Sequence, residues 1–159
     1  KSVKSVIDYI SFFENAYLVF TLPRFSYSYK QQQVNPKKIY SIDNGFSSSN
    51  SASFSKDYGK MLENLVFLRL RKDYKNIYYF QEKNECDFII KENEKITKVF
   101  QVCFDLNEDN KDRELNGIAD ALEKFSLEEG LILTHKQDDE FIIKNKRINV
   151  MPVWKWLME

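Results

Sequence analysis

The stretch Glu85-Cys-Asp-Phe-Ile-Ile90, followed after the polar break Lys91 to Lys95 by Ile96-Thr-Lys-Val-Phe-Gln-Val-Cys-Phe104, decides the fold. Both segments are rich in β-branched and aromatic residues and are bounded by charged breaks, the pattern of strands in a meander. Ile77 to Phe80 supplies a further strand ahead of them, across the break Gln81 to Glu85. Side chains two apart on a strand point the same way, so Glu85 and Asp87 share one face. Gln101, Cys103 and Asp105 share a face of the neighbouring strand by the same rule. Polar groups at alternate positions of apolar strands mark either the solvent side of a sheet or the floor of a site.

Helical spacing lies on both sides of these strands. From Lys56 to Lys72, the apolar residues Met61, Leu62, Leu65, Val66, Phe67 and Leu68 predict a helix largely surrounded by protein, with Glu63 inside that company. Leu115, Ile118, Ala119, Leu122 and Phe125 predict an amphipathic helix over Asp112 to Phe125. Gly130 reads as the end of a turn before the short apolar strand Leu131 to Thr134. Phe141 to Ile143 and Ile148 to Val150 then form a hairpin, and the chain closes on Pro152, Trp154 and Trp156. Helix, three strands, helix, strand and hairpin make an α/β order for residues 56–159.

Residues 1–45 are organised differently. Val3, Val6, Ile7, Ile10, Phe13 and Tyr17 recur at three- and four-residue steps, which predicts a helix over residues 2–16. Tyr17 to Leu22, stopped by Pro23, and Lys37 to Ile42, preceded by Pro36, read as a long twisted hairpin. A helix followed by such a hairpin is the second half of a winged helix. The stretch Arg24-Phe-Ser-Tyr-Ser-Tyr-Lys30 at its tip mixes cations with aromatics, a candidate phosphate contact. Six serines between Gly45 and Ser55 mark residues 46–55 as a connector, and a domain boundary is expected there.

Composition narrows the function classes. Apolar residues at 43% and charged residues at 30% are globular proportions, with no apolar run long enough to cross a bilayer. A soluble, cytoplasmic protein without membrane partners is the expectation. Lysine and arginine balance aspartate and glutamate, 24 against 24, so no overall basic bias announces nucleic acid. Cys86 and Cys103 lack metal-ligand spacing and are expected to be free thiols. A zinc set of Cys86, Cys103 and His135 is disfavoured, because strand parity places the two cysteines on opposite faces. The first residue is Lys1 at the start of a helical pattern, so a piece of a longer chain is expected.

Four motifs in order, Pro36-Lys-Lys-Ile-Tyr-Ser-Ile-Asp-Asn-Gly45, Gly59-Lys-Met-Leu-Glu-Asn-Leu-Val66, Glu85-Cys-Asp-Phe-Ile-Ile90 and Phe100-Gln-Val-Cys-Phe-Asp-Leu106, with the closing Val150-Met-Pro-Val-Trp-Lys-Trp-Leu157, resemble the carboxy-terminal domain of a prokaryotic AAA-type ATPase family. That family looks like the PD-(D/E)xK nuclease superfamily joined to a winged-helix region. The resemblance implies a restriction-endonuclease-like core, a mixed sheet flanked by helices, preceded by half of a winged helix. It also implies ATP binding in an upstream domain, which would be a partner of this one. No phosphate-binding glycine loop occurs in this chain.

In such nucleases a helix acid, a strand aspartate and a Glu-x-Lys pair gather around magnesium, a hard cation that prefers oxygen. By position, Glu63 matches the helix acid and Asp87 the strand aspartate, with Glu85 its companion. Gln101 stands where the second carboxylate would be, and Cys103 where the lysine would be. Asp105 is a candidate replacement metal ligand beside Glu63 and Asp87. Lys98 faces the other way and cannot replace the lysine. A glutamine brings no charge and a thiol is neutral near pH 7, so cleavage is expected to be impaired or absent. No cofactor is expected in this piece beyond a possible magnesium ion. Three functions follow: a non-cleaving module that holds DNA or a protein, with Arg24, Lys30, Lys37 and Lys38 as DNA contacts; a weak magnesium-dependent deoxyribonuclease; or a structural domain for assembly.

Overall fold

The computed structural model describes residues 2–49 and 57–159, with side-chain surroundings for 2–46 and 57–159. Helix α1 (Val3–Asn15) starts where the Ser2 hydroxyl accepts the Ser5 N–H at 3.2 Å, a side-chain cap on an otherwise unpaired donor. Strands β1 (Val19–Pro23) and β2 (Lys37–Ser41) pair antiparallel, from Val19 opposite Ser41 to Pro23 opposite Lys37. The segment that joins them lies against the body of the domain. Pro23 ends β1, Arg24 bridges to Tyr79, and the Phe25 N–H donates to the Tyr79 carbonyl at 2.8 Å. Phe25 then packs edge-on against Tyr78 and Phe125, so burial of an aromatic ring pulls the segment onto the body. Ser28 caps a short helix α2 (Tyr29–Val34), and α3 (Asn44–Ser49) follows β2. Most of the serine-rich connector lies outside the described residues.

The larger part begins with α4 (Tyr58–Asp73), capped by Asp57, whose carboxylate accepts the Lys60 N–H at 3.0 Å. Strands β3 (Ile77–Gln81), β4 (Glu85–Glu92) and β5 (Lys95–Val102) form the meander; α5 (Lys111–Lys124) leads to β6 (Glu129–Thr134). Strands β7 (Asp139–Ile143) and β8 (Lys146–Pro152) and helix α6 (Val153–Leu157) complete the chain. The six strands make one mixed sheet in the order β3-β4-β5-β6-β8-β7, with β6 parallel to both β5 and β8.

The sheet has an apolar cluster on each face. Ile89, Val99 and Ile132 pack with Ile118 and Leu122 of α5. Their strand neighbours Ile90, Phe100 and Leu133 pack with Val66, Phe67 and Leu70 of α4. Successive strand residues face opposite ways, so this alternation places α5 on one side and α4 on the other. Leu22 of β1 and Tyr40 of β2 belong to the α4-side cluster, which ties the first two strands into the same core.

Two glycines set how closely α5 approaches. Gly130 does not end a turn but lies inside β6, where a Cβ would come within 2.8 Å of Ile118 and Val99. Gly117 faces the start of β4, where a Cβ would lie 2.3 Å from the Glu85 carbonyl oxygen. A larger residue at either position would force helix and sheet apart.

Candidate functional site

The polar residues of β4 are aimed by an irregularity in the sheet. Between Tyr78 and Phe80 the register with β3 shifts, so that Tyr78 pairs with Ile89 while Phe80 pairs with Cys86. The extra β4 residue is a bulge, which re-aims a side chain that strict alternation would send elsewhere. Cys86 packs on the α5 side and Phe88 on the α4 side, and Asp87 reaches the α4 side with Phe88.

A cation from another element meets it there. On β2, Tyr40 is buried while Lys37 and Ile39 are exposed, so Lys38 and Tyr40 share the inward face. The Lys38 Nζ lies 3.1 Å from Glu63 Oε1, 2.9 Å from Glu85 Oε1 and 2.8 Å from Asp87 Oδ1. The Tyr40 hydroxyl donates to Glu63 Oε1 at 2.6 Å, and the Val102 N–H donates to Asp87 Oδ2 at 3.0 Å. Lys38, read from sequence as a wing cation, is thus enclosed by three carboxylates. A cavity of about 500 Å³ opens beside Lys38, Glu63 and Glu85.

Three anions around one cation leave the cluster negative, and the protonation equilibria reflect it. Burial alone would lower the Lys38 pKa, but the charges of Asp87 and Glu63 outweigh it and raise it above the ordinary lysine value. Burial raises Asp87 to about 6 despite the pull of Lys38 in the other direction, with Glu63 adding to the rise. Burial and the Glu63 charge also push the Tyr40 phenol upward, so it stays a donor. A divalent ion among these oxygens would collide with the ammonium group. The residues present therefore do not fit magnesium, and among the described residues no group of three or more His, Cys, Asp or Glu is disposed to hold a metal.

The other two motif positions point to the opposite face. Gln101 is buried, its Oε1 accepting the Asp87 N–H at 3.1 Å and its Nε2 donating to Glu114 Oε2 of α5 at 2.7 Å. Arg113 closes the set on Glu114 Oε1 at 2.6 Å. The Cys103 thiol lies in the α5-side cluster and donates to the Asp105 carbonyl at 3.3 Å; burial, then the Glu114 charge, push its pKa up to about 11. Asp105 is exposed and takes part in these bonds only through its carbonyl oxygen. Cys86 also lies in that cluster, so the two cysteines share a face rather than opposing each other. The bulge breaks the alternation inside β4, so parity does not carry from Cys86 across to Cys103.

The structure therefore brings Glu63, Glu85 and Asp87 together and sets Gln101 and Cys103 apart from them. Sequence reading missed the inward turn of Lys38 and missed Glu114 altogether. Both had signals. Lys38 is two residues from an apolar tyrosine within a strand, and Glu114 is spaced by three, four and seven from Gly117, Ile118 and Ala121 on the buried stripe of α5. Of the remaining expected DNA contacts, Arg24 donates to the Gln81 carbonyl, while Lys30 and Lys37 are exposed.

A mixed α/β domain with a carboxylate cluster closed by its own lysine is the class of protein that fold and site define. Residues 58–156 match the family described as a domain of unknown function, DUF4143, and the chain belongs to that family, a domain found at the carboxy-terminus of AAA-ATPase-like proteins. It is also similar to an uncharacterized protein of Methanocaldococcus jannaschii, 36% identical over 166 aligned residues. That alignment covers 98% of this chain but only 36% of the relative, so the chain spans about a third of the relative's length. No solved structure matches it. The family match includes Glu63, Glu85, Asp87, Gln101 and Glu114, whereas Lys38 and Tyr40 lie ahead of it. Among the described residues no helix is long and apolar enough to cross a membrane.

Proposed function

We propose that this chain is a non-cleaving accessory module of an AAA-type ATPase, a degenerate PD-(D/E)xK-like domain that holds a macromolecular partner. The observation that carries the reading is Lys38, whose ammonium group sits 2.8–3.1 Å from all three carboxylates. A nuclease of this kind needs a divalent ion to activate water and to neutralise charge growing on phosphate. Lys38 supplies one positive charge as a fixed internal partner, and the surplus of negative charge repels a phosphodiester from this face. Gln101 and Cys103, neutral and turned towards α5, contribute neither a metal carboxylate nor a catalytic cation.

If the partner is DNA, exposed Lys30 and Lys37 and the edge residue Arg24 are the contacts, and affinity falls as salt rises. The test incubates the protein with duplex and single-stranded DNA in magnesium or manganese. No cleavage above a protein-free blank is expected. Metal-stimulated cleavage abolished by Asp87→Ala would instead establish the weak deoxyribonuclease. Salt-sensitive DNA binding lost on combined Lys30→Ala and Lys37→Ala substitution identifies nucleic acid as the partner.

A second reading, assembly with other protein surface, is favoured by α1. None of its residues is buried, and Val3, Ile7, Tyr9 and Phe12 are each more than half exposed. Contiguous apolar surface of this kind marks a protein contact. Replacing Phe12 and Phe13 with serine is expected to reduce dye binding to exposed apolar surface without lowering thermal stability. A large loss of stability would show that α1 packs on the domain itself.

A further inference from the structure

A second cavity, at the C-terminal end of α4 and against β1, is built around an arginine that has no polar partner among the described residues. Of the five arginines, Arg24 donates to the Gln81 carbonyl, Arg69 to Asp73 and the Leu157 carbonyl, Arg113 to Glu114, and Arg147 pairs with Glu140. Arg71, in the last turn of α4, has no ion pair and no hydrogen bond among the described residues. Its guanidinium lies instead over the Phe20 ring, 3.7 Å from the centroid. Stacking of this kind fixes the plane of the group and leaves its N–H edge free to meet an acceptor.

That edge adjoins a cavity of about 400 Å³, a size that suits a small ligand. Lys75 lines the same cavity, also without an ion pair among the described residues, and so do Tyr17 and Tyr74. Tyr17 is held at φ 57° and is 69% exposed, presenting its ring outward at the end of α1. Glu14 lines the cavity as well. Its Oε1 is engaged by the Thr21 N–H and hydroxyl, which fixes the carboxylate and leaves Oε2 as an acceptor.

We propose that this cavity binds a small phosphate-bearing ligand of mononucleotide size. The Arg71 fork takes two phosphate oxygens, because its planar donors match a phosphate bidentately. Lys75 adds a second positive charge for a dianion. Glu14 accepts a hydroxyl of the sugar, and the exposed Tyr17 ring offers a stacking surface to a planar base. A lone carboxylate ligand would use the fork but neither the aromatic wall nor the second cation.

Isothermal titration of the chain with AMP, UMP, adenosine and inorganic phosphate tests this. Both nucleotides are expected to bind, adenosine to bind at least about tenfold more weakly than AMP, and inorganic phosphate to compete with AMP. Arg71→Gln lowers AMP affinity at least about tenfold, while Arg71→Lys, which keeps the charge but loses the fork, lies between them. Circular dichroism melts of both variants establish that they fold. Absence of AMP binding to the wild-type chain, equal binding of AMP and adenosine, or unchanged AMP affinity in a folded Arg71→Gln variant would each overturn the proposal.

Discussion

The two faces of the β4–β5 strand pair carry polar clusters that answer burial in opposite ways. On the α4 side, Lys38 meets Glu63, Glu85 and Asp87, and the charges do not balance. On the α5 side, Gln101 bridges the Asp87 N–H to Glu114, and Arg113 neutralises that carboxylate from the surface. Every buried side-chain polar atom of the second cluster has a partner, with one charge against one. The first depends on a cation delivered from a strand far away in sequence. A cluster closed by a distant residue is the more fragile of the two, because losing one side chain strands several buried charges.

The largest effect is therefore expected from Lys38→Met, which keeps the apolar stem and removes the charge. Leaving Asp87 and Glu63 without their cation should destabilise the fold by about 3–5 kcal/mol near neutral pH, as for one-sided removal of a buried ion pair. Chemical denaturation at pH 7.5 measures it. The loss should shrink near pH 5, where Asp87 takes up a proton and the stranded charge disappears. A cost below about 1 kcal/mol at pH 7.5 would show the cluster to be solvated, as exposed pairs are.

Gly117→Ala strains the contact that joins the two clusters. The added Cβ would meet the Glu85 carbonyl oxygen at 2.3 Å, and neither backbone can yield alone. Displacement of α5 should cost about 1–3 kcal/mol as overpacking does, despite the better helix propensity of alanine. A neutral or stabilising result in a melting experiment would mean that helix and sheet are less closely apposed than 2.3 Å implies.

Much of the fold was legible because periodicity reports it directly. The spacing of Leu115, Ile118, Ala119 and Leu122 located α5 to within a residue or two at its ends, and Cys86 to Ile90 located the centre of β4. The part that escaped depends on tertiary geometry. A bulge opposite Tyr79 leaves no mark in composition, so parity correctly grouped Glu85 with Asp87 and Gln101 with Cys103 but wrongly aligned the two pairs. The course of the segment between β1 and β2 escaped for a related reason. Nothing local shows that Phe25 finds Tyr78 and Phe125, residues brought near only by the folded sheet.

The pH dependence of stability separates the clusters more finely. Asp87 is raised to about 6 in the folded chain, so over roughly pH 4 to 6 the folded state holds a proton that the unfolded state has released. Its contribution to stability is present below that window, is lost as pH rises through it, and stays lost above. Asp57 and Asp120, whose pKa values are lowered, contribute in the opposite sense. The readout is thus the difference between wild type and Asp87→Asn, expected to change by on the order of 3 kcal/mol across the window. Parallel stability curves for the two proteins would remove Asp87 as a titrating group.

The smallest effect belongs to the balanced side. Glu114→Gln keeps an acceptor for Gln101 and loses only the pairing with Arg113, whose side chain is 75% exposed, so stability should shift by less than about 1 kcal/mol. The thiol is the sharper probe. Cys103 is raised to about 11 by burial first and by the Glu114 charge second, so neutralising Glu114 should bring its pKa down while burial keeps it above the ordinary cysteine value. Iodoacetamide labelling of the folded chain, located by mass spectrometry, should then begin at lower pH in Glu114→Gln than in wild type. Cys86, fully buried and also raised, should stay unlabelled in both. If the Cys103 labelling profile does not move, burial alone governs that thiol, and the α5-side cluster acts on it through packing rather than charge.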